Sequence, residues 1–232
     1  FNYGTQGKPP FLTVLQLNGS PHFNSEKLLA YEAGYRYQLA PQASIDIAAF
    51  YNDYSQLRDL TFDPRLGSFH AGIPSYFLLP IGLNNKASGQ TQGVEVSVDW
   101  QPHEKWRLQG NYSFLTMQIH SESPFRSLDP TTGSADNITP QHNISFRSHY
   151  DLSEKLQINL WMRYVSNISF YNIPDYVTMD AKLIFKPTKN VELFLVGQNL
   201  FQEKHKEFVS DFIPSLPAYI PQGIYAGAQW RF

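Results

Sequence analysis

The side chains able to do covalent chemistry in this sequence are spaced so that they do not meet. In the run His142-Asn143-Ile144-Ser145 a histidine and a serine could supply the base and the nucleophile of an acyl transfer. They are three apart, and on an extended strand whose side chains alternate that separation points them to opposite faces. His142 reads instead as a histidine at the rim of a strand. Glu95 and Asp99 do share a face, and paired carboxylates can serve as general acid and base. Their more ordinary role is pairing with cations on that face. His70, His103, His120, His149 and His205 lack a metal-ligand spacing such as His-Glu-x-x-His and read as solvated loop histidines. No catalytic residue, metal site or cofactor is assigned, and an enzyme is not expected.

A second group of residues is suited to binding rather than to reaction. Phe69, His70, Tyr76, Phe125, Arg126, Tyr171 and His205 fall in or beside long polar stretches between strands. Aromatics and cations of this kind can stack on, or pair with, an anionic metal chelate. Binding residues concentrate on loops held by a rigid scaffold, so these seven are the candidate ligand contacts.

The scaffold is clearest from His142 to Asn199. Ile144, Phe146, Tyr150 and Leu152 hold one parity while Asn143, Ser145, Arg147 and His149 hold the other, the period of two expected of a strand. Leu156, Ile158, Leu160, Met162 and Tyr164 alternate with Gln157, Asn159 and Arg163, with Trp161 as an apolar intruder. Val177, Met179, Ala181, Leu183 and Phe185 oppose Thr178, Asp180 and Lys182. Short polar connections at 153–154 and 186–190 predict an antiparallel meander. Residues 28–39, 43–57, 93–100, 106–114 and 224–232 alternate likewise, although Phe50 breaks the polar face of its strand. Beyond Phe114 the apolar parity flips to Leu115, Met117 and Ile119, so either a bulge sits there or the strand has left the lipid. Residues 11–17 are a possible strand end.

These runs exceed the roughly 5–6 residues of an ordinary strand and approach the about 9–11 needed to cross a bilayer at a tilt. Tight connections at 40–42, 101–104, 153–154 and 186–190 alternate with long ones at 62–79, 120–140, 166–175 and 201–222. Short turns at one rim and long loops at the other are the asymmetry of an outer-membrane barrel, the short ones periplasmic.

Composition closes other routes. With 232 residues and a formal net charge of −2 there is no basic stripe, so no nucleic-acid partner is expected. The absence of cysteine fits poorly with a disulfide-stapled module. A mean hydropathy of −0.36 and the lack of a long apolar run exclude a helical membrane protein, but a barrel shows lipid only every second residue. The N-terminus does not resemble a signal peptide and does not begin with Met, so Phe1 reads as an internal cut.

Asp46, Glu95, Asp99, Arg147, Arg163, Asp180, Lys182 and Glu192 all lie on the polar parity of their strands. An Arg or Lys facing lipid at the midplane would cost about 2–4 kcal/mol, so this parity should face a wet lumen and the apolar one the lipid. Tyr37, Trp100, Trp106, Tyr150, Tyr164 and Trp230, at strand ends, would form the aromatic girdles. A soluble β-sandwich binding module also alternates, but its strands are short and closely spaced. Another alternative is a smaller complete barrel, a porin-like channel or a barrel enzyme, with 11–17 as a tenth strand. About nine strands are expected, whereas bacterial single-chain barrels have even counts and an open sheet edge is not tolerated in lipid. The chain therefore reads as a piece of a larger barrel.

Several short motifs agree with that reading. Tyr31-Glu32-Ala33-Gly34, Gly93-Val94-Glu95, Gln198-Asn199-Leu200-Phe201 and the terminal Trp230-Arg231-Phe232 occur in order along the chain. In this series the sequence resembles the C-terminal part of TonB-dependent outer-membrane receptors. The resemblance implies an all-β transmembrane antiparallel barrel of about 22 strands, with residues 1–232 as about nine C-terminal strands and the plug domain absent. It further implies a place in the bacterial cell outer membrane, in contact with its lipid, and active transport of a siderophore-like ligand bound by extracellular loops. The implied partners are the N-terminal plug, the remaining barrel strands and the TonB complex.

Overall fold

Alternating side chains can bury one face only by forming a sheet, and the chain does so almost throughout. A computed structural model describes residues 12–18, 23–62, 67–71, 75–121, 137–209 and 216–232. The strands are β1 (Leu12–Asn18), β2 (Lys27–Ala40), β3 (Ala43–Phe62), β4 (Ser68–His70), β5 (Tyr76–His103), β6 (Trp106–Ser121), β7 (His142–Ser153), β8 (Leu156–Val165), β9 (Tyr176–Thr188), β10 (Val191–Gln198), β11 (Lys204–Phe208), β12 (Ala218–Pro221) and β13 (Gly223–Trp230). No helix among the described residues is long and apolar enough to cross a membrane.

Nine strands follow one path, β13-β10-β9-β8-β7-β6-β5-β3-β2, the meander expected, with β11 and β12 forming a separate hairpin. Contacts divide the chain into two compact units, residues 1–30, 52–90 and 117–136 in one, and 31–51, 91–116 and 137–232 in the other.

In the second unit the register confirms which residues share a face. Tyr150, Ile158, Leu183, Leu195 and Ala226 stand in one cross-strand row. Arg107, His149, Asn159 and Lys182 stand in another, on the opposite face. Next to that polar row, Gln109, Arg147, Trp161 and Asp180 form a third. The pairing of β6 with β7 runs from Trp106 to Phe114 without a shift and ends where the parity flips. Trp106 donates its indole N–H to Ser148 Oγ at 3.0 Å and meets Tyr150 edge-on, an amphipathic arrangement typical of a membrane interface. The Phe50 intruder is also accounted for. Its ring lies across Gly93, where a Cβ would come within 2.5 Å of Phe50 Cζ and 2.3 Å of the Phe114 carbonyl oxygen. Laying an aromatic over a strand glycine restores the packing that the glycine lacks.

The other unit departs more from expectation. β3 continues to Phe62 and β5 begins at Tyr76, so strand occupies part of the segment 62–79 read as irregular, and β4 lies inside it. β1 pairs in parallel with β5, Leu12 opposite Tyr76 and Asn18 opposite Gly82. A parallel neighbour lying off the meander cannot be the tenth antiparallel strand of a small complete barrel, and that alternative is set aside. Asn85 ties this unit together: its amide N–H groups donate to the carbonyls of Gln56 and Asn24 at 2.8 and 2.9 Å, and its oxygen accepts from the Asn24 N–H. Gln56 holds a positive φ of 57° there. Asp59 is fully buried and accepts a hydrogen bond from Ser121 Oγ at 2.7 Å.

There is almost no apolar core. Among the described residues the buried hydrophobic side chains are Ala87, Ile173, Ile184 and Val196. Val94 and Val98 are each 37% exposed, Ile144 45% and Leu195 48%. A soluble sandwich would bury this parity against a second sheet, so the sandwich alternative fails on burial.

Candidate functional site

The polar face of β5 to β10 is built of strand positions, and strand pairing fixes which side chains meet on it. Arg107 Nε lies 3.1 Å from each oxygen of Asp99, and Gln109 donates to the same carboxylate at 2.9 Å. Glu95 and Asp99 share the face as the spacing requires, and Asp99 takes the ion-pairing role with Arg107. Ser97 Oγ donates to the Asn111 amide oxygen at 2.9 Å, and Asn111 donates on to Ser145 Oγ at 3.2 Å. His149 is placed between Asn159, at 2.5 Å from Nδ1, and Asp151, at 3.3 Å from Nε2. On β2 and β3, Arg36 and Asp46 form a further ion pair. His142 and Ser145 do lie on opposite faces: His142 Nδ1 is 3.0 Å from the Tyr112 hydroxyl, while Ser145 belongs to the Asn111 chain.

The alternation pattern alone made Trp161 an anomaly, and the structure gives it a reason. Two guanidinium carbons lie over its ring, Arg147 at 4.5 Å and Arg163 at 4.8 Å from the centroid. Arg147 faces it across the β7–β8 pair and Arg163 follows it by two on the same strand. An indole attracts cations to its negative face, so the aromatic belongs on the charged side. The signal in the sequence was the arginine at i+2; the second arginine needed the register. Lys182 similarly sits 4.9 Å over Phe194. Arg107, Arg147, His149, Trp161, Asp180 and Lys182 line one concavity of about 630 Å³.

Asn199, in the Gln-Asn-Leu-Phe motif, proves architectural. It is 2% exposed and adopts a left-handed φ of 52° where β10 ends. Its backbone N–H donates to Asp180 at 2.9 Å and its side-chain amide to the Ile220 carbonyl at 3.0 Å. β9, the end of β10 and β12 are joined at one residue.

The candidate loop contacts divide between the two units. In one, Phe69 is exposed, and His70 stacks on Tyr76 at 4.8 Å with Ser68 Oγ 2.9 Å from its Nε2. β4 and the start of β5 bring His70 and Tyr76 together, while Phe69, opposite Phe77, falls on the other face of the pair. In the other, Tyr171 ends a short 3-10 turn (Ser169–Tyr171), and its carbonyl accepts from Lys206 Nζ at 3.2 Å. His205 is not a solvated loop histidine. It lies on β11, 5% exposed, stacked on Tyr176 at 4.5 Å with its Nε2 2.7 Å from Glu207. Tyr176 of β9 and Glu207 of its own hairpin cover it. Phe125 and Arg126 lie outside the described residues. No group of three metal-ligating side chains occurs among the described residues.

Comparison with solved structures bears on the fold alone. The chain is similar to the ferric-catecholate import receptor Fiu from E. coli K12 in its closed form, at 17% identity and a TM-score of 0.67 over 90% of this chain and 28% of that one. It is similar to the FrpB iron transporter from Neisseria meningitidis at 13% identity and a TM-score of 0.68, covering 93% and 33%. With the copper transporter OprC the values are 14% and 0.59, covering 91% and 32%. The chain thus spans about a third or less of the length of these proteins. The sequence comparison is more specific, because residues 1–200 match the family described as TonB dependent receptor-like, beta-barrel. Family match, strand order and sheet facing agree, and the chain belongs to the TonB-dependent receptor β-barrel family.

Proposed function

We propose that this chain is wall and loop structure of a TonB-dependent active transporter in the bacterial outer membrane, which captures a ferric siderophore or similar metal chelate. The observation that carries the reading is the facing of the sheet: one face apolar and uncovered, the other charged and hydrogen-bonded, in a chain of this family. The apolar face suits acyl chains, the charged face an aqueous lumen. Iron and copper transporters among the similar structures support a metal-bearing ligand. Capture would fall to the exposed aromatic and cationic loop residues, with His70 and Tyr76 already stacked on one strand pair. Translocation would draw on the plug and on energy relayed through the TonB complex.

Uptake of radiolabelled iron presented as a panel of defined siderophores, in cells carrying the native gene or a deletion, tests this. Uptake of at least one chelate should require both the gene and a functional TonB complex. Permeation that persists unchanged when TonB is removed would instead make the protein a passive channel.

A further inference from the structure

The guanidinium groups of Arg147 and Arg163 converge on one tryptophan, yet neither forms an ion pair or a hydrogen bond among the described residues. On the same face Lys182 likewise lies over an aromatic ring, but other cations have a carboxylate partner. Arg107 is engaged by Asp99, Arg36 by Asp46, and Lys186 lies 4.0 Å from Glu192. Guanidinium is a planar fork of N–H donors with no acceptor, suited to bidentate binding of an oxyanion. Two of them held near one ring repel each other, and an intervening anion would relieve that repulsion.

The carboxylates facing the cluster do not supply that anion. Asp180 stands opposite Trp161 in register, but its oxygen accepts the Asn199 N–H, and Lys182 lies two residues along on the same face. Glu95 lines the neighbouring concavity that Arg163 also borders, without reaching it as an ion pair. Arg147 and Trp161 line the concavity of about 630 Å³, in the ordinary range for small-molecule sites, and Arg163 lines the neighbouring one.

We propose that Arg147, Trp161 and Arg163 form an oxyanion subsite on the polar wall, which takes a carboxylate or similar oxygen anion of a small solute. Trp161 fixes the two guanidiniums from below, leaving their N–H forks free for the anion. The proposal rests on the transport reading, in which this face lines the solute's route. It places on that route a charge-selective contact distinct from the loop residues of first capture.

Collisional quenching tests it in the native polypeptide purified in detergent, with iodide as an anionic probe and acrylamide as a neutral one. The difference between wild type and Trp161→Phe isolates the emission of Trp161. Iodide should quench that emission efficiently, and its quenching constant should fall at least about threefold in Arg147→Gln/Arg163→Gln at low salt. Acrylamide quenching should stay unchanged. The charge-retaining Arg147→Lys should keep most of the iodide effect, and heat-modifiable migration in detergent confirms that each variant is folded. Equal iodide quenching in wild type and the double Gln variant overturns the proposal. So does a Trp161 that neither quencher reaches, since a protein segment would then occupy the site. None of these readouts requires TonB or an identified chelate, so the subsite and the transport reading can fail separately.

Discussion

Asn199 joins three strands through two hydrogen bonds and a left-handed backbone. Asparagine tolerates that conformation better than most residues, and its amide donates to the Ile220 carbonyl of the hairpin. Asn199→Ala should destabilise the folded protein by about 1–3 kcal/mol, the usual penalty for removing one partner of a buried hydrogen bond, with backbone strain added. Asn199→Gly should lose less, because it relieves the strain while forfeiting only the side-chain bond. Urea titration of the protein refolded in lipid vesicles measures the order; a glycine variant weaker than the alanine one would show that φ is not the controlling factor. The motif containing this residue was legible, but its role was not. A turn that donates bonds to β9 and β12 depends on contacts distant in sequence. His205 was misplaced for the same reason, since its cover, Tyr176 and Glu207, comes from β9 and its own hairpin. Trp161 and Phe50 looked like errors of pattern because each answers to a neighbour on another strand.

Individual strands were read well wherever one face is apolar and the other polar. The meander from β6 to β10 and its short turns followed from alternation, because a one-residue slip would turn every side chain to the wrong face. At the outer ends of β3 and β5, Phe62 and residues 76–79 were read as loop. The stretch between them carries Pro64, Gly67, Gly72 and Pro74, turn formers that read as a loop. Facing can be tested on adjacent residues of β5. Val96→Arg should weaken insertion by about 2–4 kcal/mol if Val96 lies near the midplane, while Ser97→Arg should be nearly neutral. Folding yields in lipid vesicles report both, and equal losses would refute the assignment of faces.

At the scale of the molecule, a sheet with a handful of buried apolar side chains has exchanged a protein core for its surroundings. Leu160 and Met162, at 37% and 41% exposure, sit on the apolar face opposite Ala181 and Met179. In a soluble protein, cutting a buried leucine or methionine to alanine costs about 2–5 kcal/mol, much of it for the cavity left behind. Fluid hydrocarbon can fill such a space, so Leu160→Ala and Met162→Ala should each cost less than about 2 kcal/mol in vesicles. A cost in the soluble range would mean that these side chains meet a fixed protein neighbour. If the low cost holds, the lipid side of this wall is free to drift: any greasy residue serves, and selection has little there to remember. Sequence written on such a surface fades quickly while the chain's path persists, as in the solved structures that match this fold at 13–17% identity.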